Sequence, residues 1–232
     1  MHRFTLLGWL WPLTRQLAQL AVLVFVFSSV LNLGIDNYPV FVFSGLIAWS
    51  WFSSGILRAT SSLVAQRHLV FQPKFPAVVL PVVAVAVPLI DVAMALPVLL
   101  AMLLWSGELH WTIVFLPALL AVQLLLMCGL GWLAAAANVY LRDVGNIVGV
   151  GMLMLFYLTP VFYDYSRVPP DLQWVLRLNP MGTLIEADRA VLLGGAPPPF
   201  AELAPVVGAS ALLAVAGLVF FLKVRDGLVD EL

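Results

Sequence analysis

Asp91, in the run Pro88-Leu-Ile-Asp91, is the ionisable side chain placed most clearly inside an apolar stretch of this 232-residue sequence. A charge at the centre of a bilayer costs about 2.5–3.5 kcal/mol on insertion scales, so it must face a bundle interior and find a partner or bind a proton. Asp91 therefore reads either as a structural hydrogen-bonding group or as a proton or ion site. Arg58 lies in another apolar stretch, with a stem long enough to carry its guanidinium to the interface. One acid and one cation are too few for an ion-driven pump. His2, His68 and His110 are far apart in loops or near the terminus and have no metal-ligand spacing, so no metal site is expected. No G-x-x-x-x-G-K-[ST] segment occurs, so this chain does not by itself cradle ATP phosphates. Gly145, Gly149 and Gly151 follow no strand and read as close helix packing. Cys128 is the single cysteine and reads as a small buried hydrophobe.

These residues sit in a chain that is 63% hydrophobic and 10% charged, with mean hydropathy +1.06. Water-soluble domains carry about 25% charge, so this is a membrane protein. Eleven Lys and Arg against twelve Asp and Glu leave no basic excess for nucleic acid, which is excluded as a partner. A bilayer core is crossed by about 20 apolar residues of helix, and about six such stretches occur. They cover 9–33, 38–65, 76–105, 111–137, 146–163 and 204–222 of a single transmembrane domain, 1–232. The first contains no small-residue cleavage site and is expected to stay in the mature chain. Pro76, Pro81, Pro88 and Pro97 are expected to bend or break the third stretch.

Arg3, Arg15, Arg67, Lys74, Arg142, Lys223 and Arg225 gather on one side, whereas the connections 34–37 and 106–110 carry acids and no Lys or Arg. Positive residues mark the cytoplasmic side, which places both termini inside. The long connection 164–202 is then outside. Within it, Pro169-Pro170 starts one amphipathic segment that Asn179-Pro180 stops. A second, 183–193, sets Leu184, Ile185, Val191 and Leu192 to one side and Glu186 and Arg189 elsewhere. The expected fold is therefore all-α, with six transmembrane helices and an outer helical hairpin that re-enters the membrane between the fifth and sixth. The aromatic rings of Trp49, Trp51, Phe52, Tyr157, Phe162 and Tyr163 stack on sugar faces if they line a lumen, and pack against helices or lipid if they do not.

Several runs together resemble a known family. They are Leu7-Gly8-Trp9-Leu10-Trp11-Pro12-Leu13, Phe43-Ser44-Gly45-Leu46 followed by Trp49 to Ser54, and Phe75-Pro76 with Leu80-Pro81. Further along come Asn138-Val-Tyr-Leu-Arg142-Asp143-Val, Leu158-Thr159-Pro160-Val161-Phe162-Tyr163 and Leu178-Asn179-Pro180. Ile185-Glu186-Ala187 and Leu192-Leu193-Gly194-Gly195 complete the order. In this order they resemble the membrane subunit of ABC-2 type exporters, in the branch that exports O-antigen, capsule or teichoic acid polysaccharide. The resemblance covers nearly the whole chain. It departs at the amino terminus, where Met1 to Leu6 stand in place of a longer amphipathic, basic helix.

The resemblance implies a multi-pass permease of the bacterial inner membrane, not an enzyme, that pairs with a second copy of itself and with two copies of a separate ATPase subunit. That subunit would bind ATP and Mg, and this chain would bind no cofactor. The substrate would be a lipid-linked glycan moving between two permease copies, with Trp49, Trp51, Phe52, Tyr157, Phe162 and Tyr163 along its path. Gln66, Arg67, His68, Leu69, Val70, Phe71 and Lys74 would form the segment that docks on the ATPase; an interfacial helix facing lipid is the alternative. Arg142 and Asp143 would sit at the inner mouth, as an internal ion pair or beside an anionic substrate lipid. Competing readings are an ABC-2 exporter of drugs or lipids and an ion-coupled secondary transporter using Asp91.

Overall fold

The computed structural model describes residues 10–31, 34–72, 74–141 and 143–231, and every regular element among them is helical. Helix α1 (Trp11–Val24) runs on into a wider π-helical turn, Phe25–Val30, and α2 (Tyr38–Ala65) returns beside it. A single turn, α3 (Arg67–Val70), leads to α4 (Val79–Ala86) and α5 (Leu89–Ser106). A 3₁₀ turn, Trp111–Phe115, opens α6 (Leu116–Tyr140), followed by α7 (Val144–Leu158). Two short helices, α8 (Pro170–Arg177) and α9 (Pro180–Leu192), precede the long α10 (Phe200–Glu231).

Among the described residues, four helical segments are long and apolar enough to cross a membrane: Tyr38–Ala65, Val79–Ser106, Trp111–Tyr140 and Phe200–Arg225. Of the six expected stretches, the first and the fifth are not among these four, for local reasons. The first carries Arg15, Gln16 and Gln19, and its regular α-helix stops at Val24; residues 9, 32 and 33 of that stretch, with Leu7 to Trp9 of its motif, lie outside the described residues. The fifth ends at Leu158 and not Tyr163, because Pro160 drives Thr159 into an extended backbone (φ −97°, ψ 135°). Its 15 residues span only about 22 Å at 1.5 Å per residue. The third is two helices divided at Val87–Pro88, while Pro81 falls in the first turn of α4, where no amide hydrogen is needed.

Helix α2 is the axis of the molecule, with 78% of its most apolar window buried. It packs against α1, α4, α5, α6, α7 and α9. Helix α10 lies along α6, and glycine allows the contact: a methyl group at Gly217 would collide with the Gly129 carbonyl. Small residues let membrane helices approach to backbone contact, where dispersion forces replace the missing hydrophobic drive.

The breaks in this bundle leave backbone carbonyls without helical partners, and side chains from other helices donate to them. The Trp51 indole N–H donates to the Val85 carbonyl (2.9 Å) just before the break at Pro88. The Trp132 indole adds a second bond to the carbonyl of Val78 (2.9 Å), the residue that caps α4, and so ties the start of α4 to α6. Past the end of α7, Arg189 donates to the carbonyls of Pro160 (2.6 Å) and Val161 (2.7 Å) and to Phe41 of α2 (3.3 Å). Its guanidinium also lies 3.5 Å from the centre of the Phe41 ring. The Tyr38 hydroxyl takes the next carbonyl, Phe162 (2.8 Å). Gly45 makes room for this knot, since a Cβ there would stand 2.9 Å from Arg189 Nη2 and 3.0 Å from the Val161 carbonyl.

Arg189→Leu keeps an apolar side chain but strips the donors from at least two buried carbonyls, each costing about 1–3 kcal/mol when orphaned. The variant is expected to be about 2–4 kcal/mol less stable than the parent. Thermal unfolding of the detergent-purified protein reads this as a lower midpoint, and an unchanged midpoint contradicts the tie.

Candidate functional site

A groove of about 480 Å³ opens between α1, α2, α5 and α7. Each helix contributes at helical spacing: Pro12, Arg15, Gln16 and Gln19 from α1, and Trp49, Ser50, Ser53, Ser54 and Leu57 from α2. Asp91 comes from α5, and Gly149, Met152, Leu153, Phe156 and Tyr157 from α7. Positions i, i+3, i+4 and i+7 share one face of a helix, so the polar residues that interrupt the apolar composition of α1 and α2 converge on one wall. Arg15 and Arg58 are the cations whose charge reaches Asp91. Arg58 itself is exposed and does not line the groove.

Aromatic rings lead away from this groove. Phe52 packs on Trp49 (5.5 Å between centroids), Trp49 on Phe156 (5.8 Å), Phe156 on Phe162 (5.7 Å) and Phe162 on Tyr163 (5.2 Å). Tyr157, 61% exposed, branches from Phe156 at 5.4 Å. Phe27 of the π-helical turn stacks on Phe162 at 5.0 Å. The ladder climbs from the middle of α2 past the end of α7. Five of the six rings singled out from the sequence belong to it. Trp51 does not. Two residues beyond Trp49 on a helix it points about 200° away, where it is 1% exposed and bonded to Val85.

The segment between α2 and α4 is divided in its facing. Val70 turns inward against Leu63, Ala135, Ala136, Val139 and Phe221, and Leu69 is half-buried. Gln66, Arg67, His68 and Lys74 are exposed, as is Phe71 at 52%. Asp143 is exposed at the start of α7, and Arg142 lies outside the described residues.

Two residues carry more of the arrangement than sequence reading gave them. Arg189, set apart from the apolar side of α9, is buried. Its position four residues after Ile185 and three before Leu192, both buried, was the signal for that facing. Gln16 is 6% exposed, lines the groove, and its Oε1 has no hydrogen-bond partner. Its signal was the stripe Pro12, Gln16, Gln19 within an apolar helix.

At the outer end, Glu186 of α9 is half-buried. Burial, followed by the charges of Glu202 and Asp164, pushes its carboxyl up from the usual 4.5 to about 7, against the opposing pull of Arg189 and Arg177. The nearby Tyr165 hydroxyl donates to the Leu176 carbonyl (3.2 Å), and burial raises its pKa as well.

Comparison with known proteins places this geometry in context. The profile of the family described as ABC-2 type transporter matches residues 1–193. The O-antigen export system permease protein RfbA of Myxococcus xanthus is 30% identical over 234 residues, covering 100% of this chain and 90% of the relative. A protein of the same name from Klebsiella pneumoniae is 26% identical over 84% of this chain and 76% of its own length. The polysialic acid transport protein KpsM of Escherichia coli is 25% identical over 82% of this chain and 75% of its own.

Glu186 gives the outer arrangement a pH signature. A carboxyl whose folded pKa lies above its unfolded value binds its proton more tightly when folded, so stability falls as pH rises from about 4.5 through 7 and then levels. Glu186→Gln is expected to flatten that decline, matching the parent near pH 4.5 and exceeding it at pH 8. Thermal midpoints measured across this range check it; parallel curves for the two proteins contradict it.

Proposed function

The chain belongs to the ABC-2 type transporter family, and on that premise we propose that it is the permease subunit of an ATP-driven exporter of lipid-linked polysaccharide, of the O-antigen or capsule kind. Family and helices together make it a multi-pass membrane protein of a transporter. The single observation that carries the reading to polysaccharide is the aromatic ladder rising from a polar groove. Stacking on sugar faces is broad and tolerant, so successive rings let a chain slide without a deep well. Tyr157, Phe162 and Tyr163, joined by Phe156, are the residues assigned to that path, with Trp49, 5% exposed, at its edge on the groove wall; Phe52, 2% exposed, backs Trp49 from inside the bundle, and Trp51 is assigned to holding α4.

ATP and Mg are assigned to a separate ATPase subunit in two copies, which agrees with a sequence that contains no phosphate-binding loop. The surface offered to it is Gln66, Arg67, His68, Phe71 and Lys74, while Val70 and Leu69 anchor the segment to its own chain. Asp143, with Arg142, belongs to the inner mouth. A second copy of the chain is assigned to α1 and α7. No residue of α7 is buried, and Phe25 on the π-helical turn and Ile147 and Met154 on α7 are among the large apolar side chains left uncovered. Two copies meeting there would close both grooves into one passage.

Within residues 1–232 as one domain, α1 with its π-helical turn and α7 with its extended continuation supply the fifth and sixth crossings. The α8–α9 hairpin re-enters the outer leaflet. Arg15, Arg67, Lys74 and Lys223 lie toward one end and Asp36 and Glu108 toward the other, which supports cytoplasmic termini in a bacterial inner membrane.

Deleting the gene in the native host is expected to abolish surface polysaccharide and leave lipid-linked glycan inside. The wild-type gene restores it, and the double variant Phe156→Ala, Phe162→Ala restores at least threefold less at equal membrane abundance. Gel analysis of surface glycan reads both. A deletion strain with undiminished surface glycan contradicts the reading and favours the drug or lipid branch of the family.

A further inference from the structure

The end of the bundle assigned to the cytoplasm holds a second cavity, of about 430 Å³, between the end of α2, the connection from α3 to α4 and the end of α10. Lys74 and Arg225 bring two positive charges to its lining and Gln72 an amide, and no Asp or Glu is among the described residues that line it. Leu63, Val70 and Leu222 add apolar wall. Val70 is fixed there by the buried cluster it shares with Leu63 and Phe221. Lys74 sits in left-handed backbone (φ 70°), which glycine adopts freely and lysine does not. The chain thus keeps a long cationic side chain at a position where its own backbone favours none, and such strain collects where a side chain has a task.

Leu222 belongs to two surfaces. It lines the cavity, and with Val215 and Val219, at i, i+4 and i+7 of α10, it forms an exposed apolar stripe. Arg225 follows one turn beyond Leu222. Positive charge in a cavity, with an apolar track running from it along a membrane helix, matches an anionic head carried on hydrocarbon. A free phosphate leaves the track unused, and an acidic loop of an ATPase on the aqueous side cannot follow it into the bilayer.

We propose that this cavity binds an anionic phospholipid of the cytoplasmic leaflet, with its phosphate between Lys74 and Arg225 and an acyl chain along Val215, Val219 and Leu222. Bound there, the lipid ties the α2–α4 connection to α10. No residue lines both this cavity and the groove between α1, α2, α5 and α7, so the site is separate from the transport path. Gln66, Arg67, His68 and Phe71 lie outside the lining and stay available to the ATPase. The choice of leaflet rests on the proposed orientation; the binding chemistry does not.

Thermal unfolding of the purified, delipidated full-length chain in uncharged detergent tests the site, with phosphatidylglycerol, phosphatidylcholine of the same acyl chains and inorganic phosphate as probes. Phosphatidylglycerol is expected to raise the midpoint by about 3 °C or more, because a ligand of the folded form stabilises it, and the other two by less than about a third of that. Arg225→Gln is expected to lose most of the rise. Lys223→Gln removes a cation two residues away that does not line the cavity, and is expected to keep it. Lys74→Gly removes the other charge with a residue suited to the left-handed turn, so its weakened response to lipid is not a loss of fold.

No rise with phosphatidylglycerol overturns the site, as does an equal rise with phosphatidylcholine or inorganic phosphate. A rise that survives in both Arg225→Gln and Lys74→Gly, or one that Lys223→Gln loses equally, overturns it too. None of these results bears on export, which the deletion strain decides separately.

Discussion

A carbonyl inside a bilayer has no water to bond, and at two of the places where this chain departs from helix the freed carbonyls are met by donors from elsewhere in the fold. Pro88 divides the third stretch, and Trp51 reaches across from α2 to the Val85 carbonyl. Helix α7 stops short at Leu158, and the next carbonyls are taken by Arg189 and Tyr38. Thr112 donates to Val191 at the end of α9 (2.6 Å), and Gln123 of α6 donates to Ala48 within α2 (2.8 Å). Remove Trp51 or Arg189 and carbonyls at the breaks become buried orphans, each a sizeable fraction of a typical folding free energy. The irregular helices and the polar side chains are thus one feature seen from two sides.

The same constraint gives the groove its meaning. Most polar side chains of the bundle are committed to carbonyls, which fixes how α2, α4, α6, α7 and α9 sit around one another. Along α1 and the facing stripe of α2 polarity is left over. Arg15, Gln19 and Ser50 line the groove, and Ser54 has a proton placed but lone pairs free. Rings adjoin this residue of polarity and continue it beyond α7. Polar side chains beside aromatic rings fit the polysaccharide-export reading, and similar proteins are named for O-antigen export and polysialic acid transport.

Much of this was legible in the sequence, unevenly. Composition alone settles the membrane and the helical class, and the proline and asparagine positions bound α8 and α9 closely: Asn179 Oδ1 accepts the Met181 amide (3.1 Å) at the start of α9. The rings of the ladder were visible as residue types. Their facing was not, because α2 is apolar all round and periodicity gives no direction in a helix buried on every side. Trp49 and Trp51 look alike in sequence and pack on opposite sides of α2, one on Phe156 of α7 and the other on the Val85 carbonyl of α4. Arg189 was misjudged for the reverse reason, since a charge reads as exposed until the carbonyls that hold it are known. Those carbonyls come from residues 28, 29 and 148 positions away in the chain. Gln16 was hidden by being ordinary in type, and only its depth and lack of a partner distinguish it.

Cryo-electron microscopy of the assembled complex, arrested with polysaccharide partway through, tests the central claim that leftover polarity marks the substrate's path. Glycan density against Trp49 and Tyr157, continuing along Phe162 and Tyr163, is the predicted result. Glycan running past other helix faces, with the groove between α1, α2, α5 and α7 filled by an acyl chain, would contradict it.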